Sequence, residues 1–195
     1  MVIFLVDALK YEFGVYNDSF KDPLSYQNKL PIMHQLRKKQ PDNTRLLKFI
    51  ADPPTTTLQR LKGITTGSLP TFIDMGSNFA TPEINEDNVI DQMVSNGLSV
   101  TFMGDSTWTE LFPKRFKRKY AYPSFNIHDL DTIDNEILKH LPSELKKADW
   151  DVMIAHFLGI DHCGHKYGPL HPEMSRKLSE MNQIIEKFIA NIDDD

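Results

Sequence analysis

The 195-residue sequence predicts an α/β fold in which helices cover both faces of a mainly parallel sheet. Two observations support this prediction. Short apolar, β-branched runs typical of buried strands recur along the chain, and amphipathic helical patterns lie between them. Strands that alternate with helices form parallel sheets, because each crossover helix returns the chain to the same end of the sheet. Such sheets bind ligands beyond the carboxyl ends of their strands.

The predicted elements follow one another in regular order. Predicted strands cover Val2–Val6, Arg45–Ile50, Leu98–Met103 and Trp150–Leu158. Predicted helices cover Leu30–Lys39, Leu58–Thr66, Asp87–Ser95, Thr132–His140 and Glu173–Ile192. The chain ends on the charged run NIDDD, where the alternation would next place a strand. We therefore expect a domain that is truncated at its C-terminal side.

Composition and charge exclude several classes of function. The net charge of −5 provides no electrostatic footprint for nucleic acid. The basic run Lys114–Lys119 is interpreted as a solvated loop, and the single cysteine, Cys163, excludes an internal disulfide framework. No segment reaches the roughly 18 to 20 apolar residues that a membrane span requires. The triplet Asn17-Asp18-Ser19 is a glycosylation sequon, which gives weak support for a lumenal location.

Asp7 follows the first predicted strand in the stretch FLVDALKYEF. At this position its carboxylate is expected to project from the edge of the sheet into the ligand crevice. A carboxylate oxygen there suits a divalent metal ion. An aspartate that caps or opens the next helix is the alternative, and the residues alone favour that alternative.

A second motif, ADPPTTTLQRLKGITTG, carries three consecutive threonines before a predicted helix. Thr57 lies at the expected start of that helix, where free backbone N–H groups and the helix dipole favour a phosphate or a threonine alkoxide. Threonine is also a common N-cap residue, so capping is the competing interpretation. One cap does not require three threonines, and Thr57 is retained as a candidate nucleophile.

The third motif, LGIDHCGHKYGPLHPEM, holds three of the seven histidines within residues 158–174. Asp161 and His165 are four residues apart in what the glycines predict to be a loop, so both side chains can face one ion. A carboxylate with an imidazole suits zinc or another first-row metal. His156, inside the preceding strand, is interpreted as structural, and Cys163 as a packing residue.

Together these motifs resemble the alkaline phosphatase superfamily, and more closely its ethanolamine phosphate transferases of glycosylphosphatidylinositol (GPI) anchor synthesis. The resemblance spans nearly the whole chain. It is carried by DALKYEF, ADPPTTTLQRLKGITTGSLPTFIDMGSNFA, FMGDSTW, PSFNIHDLDTIDN and IAHFLGIDHCGHKYGPLHPEM. The long threonine-rich motif is the most specific of these.

The resemblance implies roles for individual residues. Asp7 and Thr57 would bind one zinc ion, and Asp161 and His165 a second. Thr57 would be the nucleophile, and Asn78 would stabilise the phosphoryl oxygens. His162 and His171 receive no assignment.

The resemblance also implies substrates, a partner and a location. The reaction would transfer phosphoethanolamine from phosphatidylethanolamine to the third mannose of the GPI precursor glycolipid. The site would lie in a lumenal domain of an endoplasmic reticulum membrane glycoprotein that has a small membrane partner subunit. Residues 1–195 would form the N-terminal part of an alkaline-phosphatase-like catalytic domain. They would be inactive alone, because the family's remaining metal ligands would follow Asp195.

Two other functions remain open at this stage. Another metal-dependent phosphodiesterase or a sulfatase of the same superfamily would share these motifs, although a sulfatase nucleophile requires a CxPxR-like context that Thr57 lacks. A non-catalytic fragment or binding module is the second alternative, because half of the metal ligands implied by the resemblance lie outside the sequence.

Overall fold

In the residues that the structure describes, four parallel strands form one sheet in the order β1-β4-β2-β3. The strands are β1 (Val2–Val6), β2 (Val100–Asp105), β3 (Arg118–Tyr122) and β4 (Val152–Phe157). The central strands β2 and β4 are buried along their whole length. A continuous run of apolar residues is typical of strands that are covered on both faces, which explains why these two were recognisable in the sequence.

The structure, a computed structural model, describes residues 1–51, 53, 55–69 and 83–193. The chain divides into two compact units. The first comprises Met1–Asp7, Ile50–Asn126 and Asp131–Leu158, and contains the sheet. The second comprises Ala8–Phe49, Ile127–Leu130 and Gly159–Asp195.

Helices connect and flank the strands. They are α1 (Tyr11–Gly14), α2 (Pro31–Lys39), α3 (Thr57–Thr66), α4 (Val89–Ser95), α5 (Thr107–Leu111), α6 (Thr132–Leu145), α7 (Gly159–Tyr167) and α8 (Pro172–Asp193). Across the described ranges, no helix is both long enough and apolar enough to cross a bilayer.

One face of the sheet packs against α3, α4 and α5. Alternate residues of a strand point to opposite faces, so Val100, Phe102, Val152 and Ile154 share this side. Together with residues of the three helices they form the main apolar core of the first unit. The helical residues include Leu61, Ile90, Trp108 and Leu111. The ring of Phe102 stacks on Trp108 with 5.4 Å between the centroids. This packing fixes the start of α3 and the indole of Trp108 relative to the carboxyl ends of the strands.

Helix α6 covers the opposite face, where it contacts β2, β3 and β4. Its buried Glu144 accepts hydrogen bonds from Arg118 Nε at 2.8 Å, Tyr120 Oη at 2.6 Å and Lys147 Nζ at 2.6 Å. Burial raises the pKa of Glu144, but these hydrogen bonds outweigh it and leave the pKa below its ordinary value of 4.5. The network therefore joins β3 to α6 through an ionised carboxylate.

The second unit is helical. Helix α8 presents Met174, Leu178 and Met181 as a buried apolar stripe, as the sequence pattern predicts. Helices α2 and α7 pack against α8. Asn182 Oδ1 accepts a hydrogen bond from the backbone N–H of Ile32 in the first turn of α2, at 2.9 Å. That bond satisfies a donor that has no partner within its own helix.

Two features of the sheet differ from the sequence prediction. The predicted strand Arg45–Ile50 is irregular, with Leu47, Phe49 and Ile50 exposed. A strand requires a neighbour for its backbone groups, and in the described residues no strand pairs with this segment. The basic run Lys114–Lys119, interpreted as a solvated loop, is not a loop throughout, because its last two residues belong to β3. Arg118 forms ion pairs with Glu144 and Asp149.

Candidate functional site

Asp7 is the first residue after β1. Its backbone N–H donates to the carbonyl of Phe157 at 3.0 Å, which continues the β1–β4 ladder to the end of the strand. The side chain is 17 % exposed. The helix that follows in sequence, α1, has Lys10 as its N-cap residue, so capping does not account for Asp7. The carboxylate lies at the carboxyl end of the sheet, where this fold class binds ligands.

Thr57 is the first residue of α3, and its hydroxyl donates to Asp7 Oδ2 at 3.0 Å. The N-cap position is occupied by Thr56, which makes no side-chain capping bond. The Thr57 hydroxyl therefore bonds a carboxylate at the sheet edge instead of capping its own helix. It also sits at the helix terminus where unpaired N–H groups favour negative charge.

His156, near the end of β4, lies against the same carboxylate. Its side chain is 1 % exposed, and Nε2 lies 3.4 Å from Asp7 Oδ2. On the other side of the ring, Nδ1 accepts a hydrogen bond from the indole N–H of Trp108 at 3.0 Å. Asp7 Oδ2 is thus approached by two side chains from different elements, the Thr57 hydroxyl and the His156 imidazole.

Gly104 in β2 allows this close approach. It pairs with His156 across the β2–β4 ladder and has φ of +133°, a conformation that favours glycine. A Cβ atom at this position would lie 2.4 Å from the His156 carbonyl oxygen and 3.0 Å from the His156 Cβ. Any larger residue would therefore displace the backbone that carries the imidazole.

Asp161 and His165 lie on a helix, α7, and not in the loop that the glycines predicted. They occupy adjacent turns of one face, with His165 Nε2 3.6 Å from Asp161 Oδ2. The glycine that ends the helix is Gly168, whose φ is +80° and whose N–H bonds the carbonyls of Cys163 and Gly164. The helix fixes the two side chains more rigidly than a loop would. His165 remains 60 % exposed and Asp161 21 % exposed.

The other residues singled out in the sequence have different surroundings. Asn78 lies outside the described residues. His162 is buried, and its Nδ1 is 2.6 Å from the carbonyl oxygen of Asp129. His171 is exposed, stacks on Tyr167 with 4.3 Å between the ring centroids, and accepts a hydrogen bond from the backbone N–H of Glu173. Cys163 is fully buried.

The donor atoms of both predicted pairs fit a zinc ion. Ligand atoms of a tetrahedral zinc ion lie about 3.3 Å apart when each is about 2.0–2.1 Å from the metal. The Thr57–Asp7 and His165–Asp161 distances, 3.0 Å and 3.6 Å, bracket that value. Each pair supplies two ligands, and within the described part of the chain no group of three or more His, Cys, Asp or Glu residues could hold a metal ion. If either pair binds zinc, it supplies only part of the ligand set.

Sequence reasoning did not assign His156 to the site. The available signal was its position, because it is a polar residue near the carboxyl end of an otherwise apolar strand, VMIAHF. Trp108 and Gly104 gave no comparable signal, since their roles depend on the pairing of β2 with β4.

Residues 12–195 match the family described as type I phosphodiesterase / nucleotide pyrophosphatase. The matched region contains Thr57, Asn78, Asp161 and His165, whereas Asp7 precedes it. The match covers nearly all of the chain.

Two curated relatives are GPI ethanolamine phosphate transferases 3. The chain is 50 % identical to the catalytic subunit from Homo sapiens and 47 % identical to the protein from Saccharomyces cerevisiae. All of the chain aligns in both cases, but it spans only 18 % and 20 % of the relatives' lengths.

A solved structure has the same fold. The chain is similar to the C-terminal periplasmic domain of EcEptC from Escherichia coli, described as a complex with Zn, with a TM-score of 0.63 at 13 % identity. The similarity covers 98 % of this chain and 58 % of the other. It supports the predicted alkaline-phosphatase-like α/β architecture.

Proposed function

The chain belongs to the type I phosphodiesterase / nucleotide pyrophosphatase family, and on that basis we propose that it carries catalytic residues of a GPI ethanolamine phosphate transferase. The reaction transfers phosphoethanolamine from phosphatidylethanolamine to the third mannose of the GPI precursor. The names of the human and yeast relatives support the GPI precursor as substrate. The donor lipid and the third mannose come from the sequence resemblance.

In this proposal Thr57 is the nucleophile. Its Oγ1 forms a bond to the phosphorus of the donor as the bond from phosphorus to the diacylglycerol oxygen breaks. Asp7 Oδ2, 3.0 Å from Oγ1, accepts the hydroxyl proton as the bond from Thr57 to phosphorus forms. Diacylglycerol leaves with a proton from solvent, and Asp7 returns its own proton to solvent. A mannose hydroxyl then attacks the same phosphorus and loses its proton to solvent, while the bond from phosphorus to Thr57 breaks and Oγ1 takes up a proton.

The observation that carries this proposal is the hydrogen bond from the Thr57 hydroxyl to Asp7. A threonine that only capped its helix would direct its oxygen at the backbone N–H groups of the first turn. Thr57 instead contacts a carboxylate at the carboxyl end of the sheet. The same helix terminus favours the negative charge that develops on the phosphoryl oxygens.

The proposal includes two zinc ions, with Asp7 and Thr57 as ligands of one and Asp161 and His165 as ligands of the other. Zinc at these positions would act as a Lewis acid that lowers the pKa of the attacking hydroxyl and stabilises charge on the leaving oxygen. The donor chemistry of both pairs and the Zn-bound neighbour of the same fold support this assignment. Asn78 keeps its proposed role with the phosphoryl oxygens, which rests on sequence resemblance.

The proposed location is the endoplasmic reticulum membrane with this domain in the lumen. The relatives are named as GPI ethanolamine phosphate transferases, which supports the compartment. Four further points stay predictions. They are the lumenal orientation, glycosylation at Asn17, a small membrane partner subunit, and the inactivity of residues 1–195 alone.

Hydrolysis is the second candidate function, because the matched family is named for phosphodiesterases. It uses the same nucleophile and differs in the second step, where water replaces the mannose hydroxyl. An assay that measures both transferred and free phosphoethanolamine separates the two functions.

Substitution of Thr57 in the full-length protein tests the nucleophile. Thr57→Ala removes the attacking oxygen and is expected to abolish transfer, while Thr57→Ser keeps a hydroxyl and retains partial activity. Thr56→Ala is the matched control, since Thr56 makes no side-chain capping bond and should leave turnover nearly unchanged. Near-normal transfer by Thr57→Ala would refute the assignment and make Thr55 or Thr56 the candidate.

A further inference from the structure

We propose that His156 is a positioning residue that holds the Asp7 carboxylate by donating its Nε2–H to Asp7 Oδ2. The inference rests on the proposed function, because it assigns His156 a role toward the carboxylate that contacts the nucleophile Thr57. His156 acts through Asp7 and does not touch the substrate.

The location of His156 supports this role. The imidazole is buried near the carboxyl end of a central strand, and its Nε2 is the ring atom that faces Asp7. In the part of the chain that the structure describes, Nε2 has no hydrogen-bond partner. Buried polar groups in proteins are nearly always hydrogen-bonded, so a buried imidazole nitrogen without a partner requires an explanation.

Trp108 determines which ring nitrogen carries the proton. An indole nitrogen is only a donor, and the Trp108 N–H points at His156 Nδ1 from 3.0 Å. Nδ1 must therefore be the acceptor, without a hydrogen of its own. A neutral imidazole has one N–H, which must lie on Nε2, facing Asp7.

This tautomer makes His156 a donor and not a metal ligand. For Nε2 to bind a metal, the ring proton would have to move to Nδ1, where it would face the indole N–H of Trp108, also a donor. The nearby acceptor for an Nε2–H is Asp7 Oδ2, 3.4 Å away. That distance is longer than a good hydrogen bond, as is common for catalytic contacts before the substrate binds.

The backbone of His156 is held as firmly as its ring. Gly104 lies directly against it on β2, and a Cβ atom there would meet the His156 carbonyl oxygen at 2.4 Å. The imidazole is restricted to one position. The ladder to β2 holds its backbone, the indole N–H of Trp108 holds Nδ1, and the ring is buried. Asp7 is the more exposed member of the pair, 17 % against 1 % for His156, so the buried imidazole is the fixed group against which the carboxylate is held.

The test uses three substitutions in the full-length protein. His156→Leu removes the donor and keeps apolar bulk, His156→Gln restores a side-chain N–H, and Trp108→Phe keeps the ring but removes the indole donor. His140→Leu is the matched control, because His140 stacks on Tyr120 on the other face of the sheet. The readouts are kcat, KM for the phospholipid donor, zinc affinity by chelator competition, and melting temperature.

We expect His156→Leu to lower kcat and zinc affinity by about 10- to 100-fold with KM nearly unchanged, as for other residues that orient metal ligands. Its melting temperature should fall as well, because the buried Trp108 N–H loses its acceptor, so kcat is compared well below the melting transition. His156→Gln should recover part of the loss, and Trp108→Phe should lie between His156→Leu and the wild type. His140→Leu should match the wild type in kcat.

Three results would overturn the proposal. The first is a wild-type kcat in His156→Leu. The second is a fall in kcat that parallels the fall in melting temperature and is not rescued by His156→Gln. The third is the loss of a full equivalent of bound zinc, which would make His156 a metal ligand. Thr57→Ala, measured alongside, separates the two claims. If Thr57→Ala is active, the proposed function fails, whereas an inactive Thr57→Ala with a normal His156→Leu refutes the positioning role alone.

Discussion

Asp7 Oδ2 is the atom that the other two side chains of the candidate site in the first unit approach. The Thr57 hydroxyl reaches it from the first turn of α3, and His156 Nε2 approaches it from the interior of the sheet. Neither neighbour is adjacent to Asp7 in sequence, so the arrangement exists only when β1, β4 and α3 are all in place. The sequence allowed Asp7 and Thr57 to be chosen individually, but it gave no means of placing His156 beside them.

A second buried carboxylate, Glu144, provides a prediction about pH. Its pKa is lower in the folded protein than in the unfolded chain, so protonation favours unfolding. The stabilisation from Glu144 is complete above its ordinary pKa of 4.5 and is lost as the pH falls through the folded-state value. At neutral pH, Glu144→Gln should lower the free energy of opening of α6 by about 1.5–3 kcal/mol, since hydrogen bonds to a charged group are lost.

Hydrogen–deuterium exchange of peptides from Thr132–Leu145 measures this opening locally. The difference between Glu144→Gln and the wild type should shrink when the pH is lowered well below the ordinary carboxyl value. Glu136→Gln is the control on the same helix, because Glu136 pairs with the exposed Lys139 and such pairs contribute less than about 1 kcal/mol. A pH-independent difference for Glu144→Gln would show that the carboxylate charge is not responsible.

At the scale of elements, the sequence predicted the buried strands and the amphipathic helices because their patterns are local. Strands β1, β2 and β4 and helices α2, α3, α4, α6 and α8 all fall within or overlap the predicted segments. Strand β3 was missed because its Arg118 carries a charge that only the fold neutralises, through Glu144 and Asp149. Helix α7 was predicted as a loop because Gly159 and Gly164 disfavour helix, a preference that tertiary packing can override.

Gly104 gives a prediction for the pairing of β2 with β4. Gly104→Ala should destabilise the sheet by about 1–3 kcal/mol, because the new Cβ would overlap the His156 carbonyl, and it should also reduce turnover by displacing His156. Gly164→Ala is the control, since no atom lies within 4 Å of its Cβ position apart from its chain neighbours and the backbone of its own helix, and alanine favours a helix by up to about 1 kcal/mol. Melting temperature and kcat of both variants check this, and a neutral Gly104→Ala would contradict the close contact.

At the scale of the whole molecule, the chain spans about a fifth of the length of its curated relatives. The two candidate ligand pairs belong to different compact units, Asp7 and Thr57 to the first and Asp161 and His165 to the second. The alternation of strands and helices was enough to predict the α/β class. Each pair would supply two ligands to a zinc ion, and catalytic zinc normally has three protein ligands, so zinc binding at either pair would require further ligands.

The most direct test of the central claim is to locate phosphoethanolamine on the enzyme during turnover. The full-length protein is incubated with the phospholipid donor without acceptor, quenched and digested with trypsin. The peptide FIADPPTTTLQR, residues 49–60, contains all three candidate threonines, and its fragment ions distinguish them. We predict phosphoethanolamine on Thr57 and its absence in Thr57→Ala. Phosphoethanolamine on Thr55, on Thr56 or on another peptide, or transfer without any covalent adduct, would contradict the account.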